Sequence, residues 1–299
     1  LRVRKCNANT GWVAADLARQ AGVRPFEVGY AGLKDRRGVT TQWFTVPARR
    51  GGVQDWAGRV GEGYEILEAH RHTRKLPRGA LAGNRFTLVL RGFTGSREAL
   101  ERRVAEIAVE GVPNYFGPQR FGRELGNLAV LRGEPVRGER GFAYSAARSL
   151  IFNAVLAERL AAGHWNMLLP GERANLEGSN STFRVEAIDE TLRQRLAALD
   201  IHPTGPLWGE GESGVTGEVA ELESSVASRY PALLDLLRAD RLASARRPLR
   251  MVVRDLALRW LPEADACELQ FSLRGGSFAT TVVRELVHLD DATGAEEHA

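Results

Sequence analysis

Cysteine is nearly missing from this chain: Cys6 and Cys267 are the only two, far apart in sequence and without a C-x-x-C partner. That argues against a disulfide framework and against a cysteine-based metal cluster. The six histidines, at 70, 72, 164, 202, 288 and 298, show no H-x₃-H spacing, so no metal site is expected. No apolar run reaches 18 residues, and the opening LRVRKCNANTG has no hydrophobic signal core, which leads us to expect a cytoplasmic protein without membrane contact. Two glycine-rich stretches, GEGESGVTG (209–217) and GPQRFGRELG (117–126), lack the order and context of phosphate-cradling motifs, so no nucleotide cofactor is expected. Nor is there a Ser/His/Asp array in a recognisable setting. Lysine is scarce too, at 5, 34 and 75 only, and arginine-rich codon usage accounts for that without function.

What remains is a chain of 299 residues, 43% apolar and 26% charged, long enough for a large core and two domains. The net charge of +4 and pI of 9.4 permit a cationic face that meets phosphates, so nucleic acid is an allowed partner. LRVRK alternates as a strand does, and a strand at the very start leads us to expect a further N-terminal segment before Leu1. Thr10 can cap a helix with Val13, Leu17, Ala18 and Ala21 inward and Gly22 as its stop. Glu27 to Ala31 is β-prone, GLKDRRG is a polar turn, and VTTQWFTV resumes as a strand, so Asp35 sits on a loop between two strands. GNRFTLVLR (83–91) reads as a strand. Ser96 to Glu110 reads as a helix with Leu100, Val104, Ile107 and Ala108 inward, stopped by Gly111. VPNYFGPQRFGRELGN has no period and reads as a loop. A helix should run from a Ser145 cap to Gly163. From about Met167 to Arg250 the texture changes to short helices, prolines at 203, 206 and 231 and glycine-rich loops, as in a separate lobe. The earlier style returns with MVVRDLALRWL, the alternating strand CELQFSL and a helix started by Ser277. These elements predict a discontinuous α+β catalytic domain with a second domain inserted into it.

Taken alone, the aspartate of KDRRG is an ordinary solvated turn residue beside arginines. The full string GYAGLKDRRGVTTQW (29–43), however, resembles the catalytic motif of the TruD family of tRNA pseudouridine synthases, carried here by Gly32, Lys34, Asp35, Gly38, Val39, Thr40 and Gln42. NYFGPQRFG (114–122), GNRFTLVLR, SAARSLIFN (145–153) and GSFATTVVREL (276–286) resemble further blocks of that family in the same order. The likeness is weakest across about 165–245. Family members carry a segment ahead of the equivalent of Leu1, which would add part of the catalytic domain and a basic residue near the site. The chain without it is expected to fall short of full activity.

The resemblance implies a pseudouridine-synthase-like catalytic domain with a mixed or antiparallel sheet flanked by helices. It also implies an inserted smaller α/β domain, divided as 1–130, 131–252 and 253–299. It implies a tRNA substrate, with a uridine in the D-stem region of a glutamate tRNA as target, no cofactor and a monomer. Isomerising uridine requires a nucleophile beside the sugar and base but no redox partner. Asp35 could attack C1′ of the ribose or C6 of the base. An opposing cation is needed to keep it ionised in a partly dry pocket. Arg284 is implied as that cation, and Lys34 is adjacent. The base must be flipped out of the RNA and held. Phe116 is implied as its stacking surface, Asn114 as support for the loop or nucleotide, and Phe278 as the other wall of the pocket. Thr41 and Gln42 cannot both face the pocket at period two, and Gln42 is the preferred candidate. Arg120, Arg123 and the cations of RHTRKLPRGALAGNR (71–85) offer phosphate contacts, and Lys34 is a further substrate-binding residue.

Overall fold

A computed structural model describes residues 1–48, 55–134, 140–239, 241–262 and 265–289. Two compact units divide the chain, Leu1–Gly83 and Asn84–Ala299. Both combine helices with antiparallel strand pairs, which makes the protein α+β.

The first unit opens with β1 (Arg2–Cys6) and α1 (Thr10–Ala21), followed by a 3₁₀ turn at Pro25–Glu27, β2 (Gly29–Tyr30), β3 (Val39–Thr45), β4 (Val60–Gly61) and β5 (Tyr64–Glu68). The strands form one sheet in the order β2-β3-β1-β5-β4. Helix α1 buries Val13, Ala14, Leu17 and Ala18, spaced as one helical face, against Val3, Phe44, Tyr64 and Ile66 of the sheet. Gly22 ends the helix at φ +64, a conformation glycine adopts without a Cβ clash. Thr10 is not the cap. Asn9 holds that position without a side-chain bond, and Thr10 is buried in the first turn with its hydroxyl turned to the 32–35 loop.

The second unit contains β6 (Gly83–Leu90), α2 (Arg97–Glu110), β7 (Val112–Pro113), α3 (Arg140–Ala161), β8 (Arg173–Leu176), β9 (Thr182–Arg184) and α4 (Glu190–Ala197). It continues with β10 (Ile201–Leu207), α5 (Gly217–Ser228), α6 (Pro231–Ala239), β11 (Ala245–Pro248), β12 (Arg250–Met251), β13 (Arg254–Trp260), β14 (Cys267–Arg274) and α7 (Ala279–Leu286). Its sheets run β13-β14-β6, β11-β10-β8-β9 and β12-β7. Leu100, Val104 and Ile107 of α2 pack on the alternating Cys267, Leu269, Phe271 and Leu273 of β14 and on Val282 of α7. A second cluster gathers around α3, where Ile151, Phe152 and Leu156 meet Leu233 and Leu237 of α6.

Four local expectations are corrected here. Helix α3 is described over Arg140–Ala161, and Ser145 lies inside it, with its hydroxyl accepting from Arg120. Ala108 is exposed, because Leu100, Val104 and Ile107 already complete the buried stripe of α2. The stretch from Val112 is not all loop: it holds β7 and 3₁₀ segments at Pro118–Phe121 and Arg123–Arg132, the second kinked where Glu124 and Leu125 take positive φ. Ser277 does not cap α7, since Phe278 occupies that place without a side-chain cap bond. Among the described residues no helix is long and apolar enough to cross a membrane. No group of three or more His, Cys, Asp or Glu residues could hold a metal among them either, and His298 lies outside them.

Candidate active site

Asp35 projects from the Gly32–Gly38 loop between β2 and β3, and its side chain is exposed. Its main chain is pinned from several directions. Gln42 sits on the buried face of β3 and donates from Nε2 to the Gly32 carbonyl at 3.4 Å. Thr10 accepts from the Lys34 N–H at 3.0 Å, and its single hydroxyl proton can go to the Lys34 carbonyl or to Gln42 Oε1, each 3.3 Å away. Gly38 donates to Asn7 Oδ1 at 3.4 Å and accepts from the Asn7 N–H at 3.3 Å, with its own φ at +112.

The fourth anchor is Lys5, whose Nζ donates to the Asp35 carbonyl at 2.5 Å. Lys5 is 1% exposed and stands on β1 opposite Thr40, two residues from buried Val3 opposite Gln42. A cation thus takes the third place in a row of core-facing positions. Burial holds its pKa below the usual lysine value, and the negative charge of Asp35 opposes that shift. Lys34 behaves alike, lowered by burial and raised by Asp35. The Asp35 charge therefore acts on two lysines within its own unit. Lys5 went unconsidered in the sequence, although LRVRK carried the signal: a strand with Leu1 and Val3 on one face should not put a lysine third unless something needs its charge.

Apart from the cations at positions 71–78, the remaining sequence-selected residues lie in the second unit. Phe116 is 9% exposed, meets Phe152 edge-on at 5.4 Å between centroids, and carries the Arg247 guanidinium 4.1 Å from its ring centre. Its backbone N–H and carbonyl are both bound by the Asn153 side chain, at 2.9 and 3.0 Å. Buried Asn114 donates to the Pro248 carbonyl at 2.8 Å and accepts from Arg247 at 2.5 Å, so both ends of its amide are engaged by β11. Arg120 lies 5.3 Å from the Phe116 ring and donates to the Ser145 hydroxyl at 2.9 Å. Phe278 packs against the same apolar cluster as Phe116. Arg284 is exposed on α7, whose buried residues are Thr281, Val282 and Val283. Arg71, Arg74, Arg78 and Arg85 are exposed, and the Arg123 side chain lies outside the described residues. Arg247 is a further residue that sequence reasoning passed over, because RRPLR reads as a solvated charge run.

The first unit carries an accessible carboxylate on a fixed loop; the second unit carries an aromatic ring dressed with guanidinium groups. The family described as tRNA pseudouridine synthase D (TruD) matches residues 1–137 and 142–286. The chain belongs to the TruD family. TruD proteins are tRNA pseudouridine synthases, which are isomerases. The chain is similar to tRNA pseudouridine synthase D of Nitrosococcus oceani, 47% identical over 298 residues that cover 97% of this chain and 83% of the relative. It is 46% identical to the Methylococcus capsulatus protein, covering 97% and 84%, and 44% identical to that of Pseudomonas aeruginosa, covering 97% and 83%. Its fold resembles a Methanosarcina mazei crystal structure assigned to TruD, at a TM-score of 0.70 and 21% identity, over 97% of this chain and 87% of that one.

Proposed function

We propose that this TruD-family chain converts a uridine of a tRNA to pseudouridine with Asp35 as the nucleophile and without a cofactor. The observation that carries the reading is the loop around Asp35. Its backbone is fixed at Gly32, Lys34, Asp35 and Gly38 while the carboxylate stays open to an incoming nucleotide. A reactive side chain needs both rigidity and access.

In the reaction the N1–C1′ bond breaks, the uracil turns, and a C5–C1′ bond forms; the proton leaves C5 and N1 ends protonated, so nothing is oxidised or reduced. The carboxylate of Asp35 adds to C1′ or to C6 and is released at the end. Arg284 serves as its ionic partner, and Lys34 and Arg120 contact the RNA backbone. Extruding the base costs a few kcal/mol of stacking, which a protein surface must offset. Phe116 serves as the stacking ring, with Phe278 as the opposing wall and Asn114 and Gln42 as positioning groups. The same reading divides the chain into a discontinuous catalytic domain, 1–130 and 253–299, and an inserted domain, 131–252. The target is a D-stem uridine of a glutamate tRNA, bound by a monomer.

The test uses tRNA transcripts tritiated at uracil C5. The parent protein should release tritium, and Asp35→Asn should bind the transcript equally well and release none. Equal release by both proteins would remove Asp35 from the chemistry. Binding without release by the parent would instead favour a chaperone that unstacks and rebinds RNA.

A further inference from the structure

Arg159 and Arg246 are almost fully buried, and each meets a buried acid: Arg159 pairs with Glu172, and Arg246 with Glu223 through two 2.7 Å contacts. Arg247, the next residue, does not. Its guanidinium donates to Asn114 and lies on the Phe116 ring, while its Nε is buried without a hydrogen-bond partner. The second cation on that ring is Arg120, held by Ser145. Among the described residues neither guanidinium forms an ion pair with a carboxylate. Burial, reinforced by the charge of Arg120, brings the Arg247 pKa down to about 10, so it stays protonated at neutral pH. Two like charges share one aromatic ring, and one of them has a donor with nowhere to go. Each contact already present is neutral: an amide oxygen, a hydroxyl and a π face. What the cluster lacks is an anion with acceptor atoms for a planar fork, which is the geometry of a phosphate oxygen pair.

We propose that Arg247 and Arg120, gathered on Phe116, form a receptor for one phosphodiester oxyanion of an RNA strand. The inference rests on the reading that the chain acts on RNA and deepens it by naming where one backbone phosphate is held. Asn114 acts here as a positioning residue: tied to the Pro248 carbonyl, it fixes the Arg247 fork rather than contacting nucleotide. The anion would accept from Nε and offset the repulsion between the guanidinium groups.

The experiment measures binding of a tRNA transcript by fluorescence anisotropy across a KCl series, for the full chain and for Arg247→Gln, Arg247→Lys and Arg120→Gln. Each lost phosphate contact should lower the slope of log K against log salt by roughly 0.7 to 0.9. Both glutamine variants should lose that much, whereas Arg247→Lys should keep the slope because it keeps the charge. An unchanged slope in the glutamine variants overturns the receptor. Equal losses in Arg247→Gln and Arg247→Lys also overturn it, because they would make Arg247 a packing element. Tritium release from C5-labelled uridine, measured in parallel on the parent, separates the two claims. Slope losses without any release by the parent leave the receptor standing and end the isomerase reading. Release with unchanged slopes does the reverse. A parent that binds no tRNA ends both.

Discussion

Lys5 carries an uncommon burden for a lysine, since its charge is buried and its only hydrogen bond among those described goes to a main-chain carbonyl, that of Asp35. Burying a cation costs stability, whereas a bond to a charged donor returns about 1.5 to 3 kcal/mol. Lys5→Met keeps the apolar stem and removes both terms. We expect the variant to be as stable as the parent or more so, and to release tritium about 10- to 100-fold more slowly, because the loop loses its anchor at the nucleophile. A parallel fall in both stability and rate would make Lys5 a packing residue only. The pH dependence has a definite sign. The folded pKa of Lys5 lies below the ordinary 10.5, so the unfolded chain binds more protons in that window and the parent should gain stability as pH rises towards 10.5. Lys5→Met should lose this contribution when urea midpoints are compared across alkaline pH. Asp35 and Gln42 stand out in the sequence because one contiguous string, 29–43, carries both and resembles the TruD motif. Lys5 and Arg247 do not, since each acquires its role from a neighbour 30 or more positions away, Asp35 for one and Asn114 and Phe116 for the other.

At the scale of elements, hydrophobic periodicity was a sound guide wherever one face is buried. It found α1, α2, β3, β6 and β14 close to their ends, because apolar spacing reports burial directly. It misplaced starts and caps, as at Thr10 and Ser145, because a hydroxyl can serve a helix end or a distant partner equally well. It also could not see polar pairings between strands. Glu177 illustrates the energetic weight of such pairings. Arg250 on β12 donates to Nδ1 of His202 on β10, which leaves the ring proton on Nε2 to donate to Glu177, and Arg254 of β13 reaches the other carboxylate oxygen at 2.9 Å. The His202 bond, helped by Arg254, holds the Glu177 pKa at about 2. The folded pKa is below the ordinary 4.5, so this contribution is complete above pH 4.5 and is lost as pH falls towards 2. It should be worth about 2 kcal/mol after allowance for the partly solvated carboxylate. Glu177→Gln should therefore flatten the parent's loss of urea stability across that acid window. An acid limb of unchanged steepness would place the titration elsewhere.

For the whole molecule, the division at Gly83 matters more than any single contact. All core residues of the first unit, from Val3 to Ile66, cluster with one another, and the clusters around α2, α3 and β8 contain residues beyond position 84 only. Small units bury a smaller share of their surface than large ones and are correspondingly less stable. The first unit, with its single cluster, should then open as a cooperative block before the second. Native-state hydrogen exchange in a urea series should show the amides of β1, α1, β3 and β5 released together, at lower denaturant than those of α2, α3 and β14. Leu17 is fully buried in the first cluster, so Leu17→Ala should lower that first opening by about 2 to 5 kcal/mol and leave the second in place. One shared transition, shifted as a whole by Leu17→Ala, would show that the units fold as one. The functional consequence follows from where the loop is anchored. Lys5 and Thr10, which hold the Asp35 segment, belong to β1 and α1, so tritium release should vanish with the first transition while the second unit is still folded.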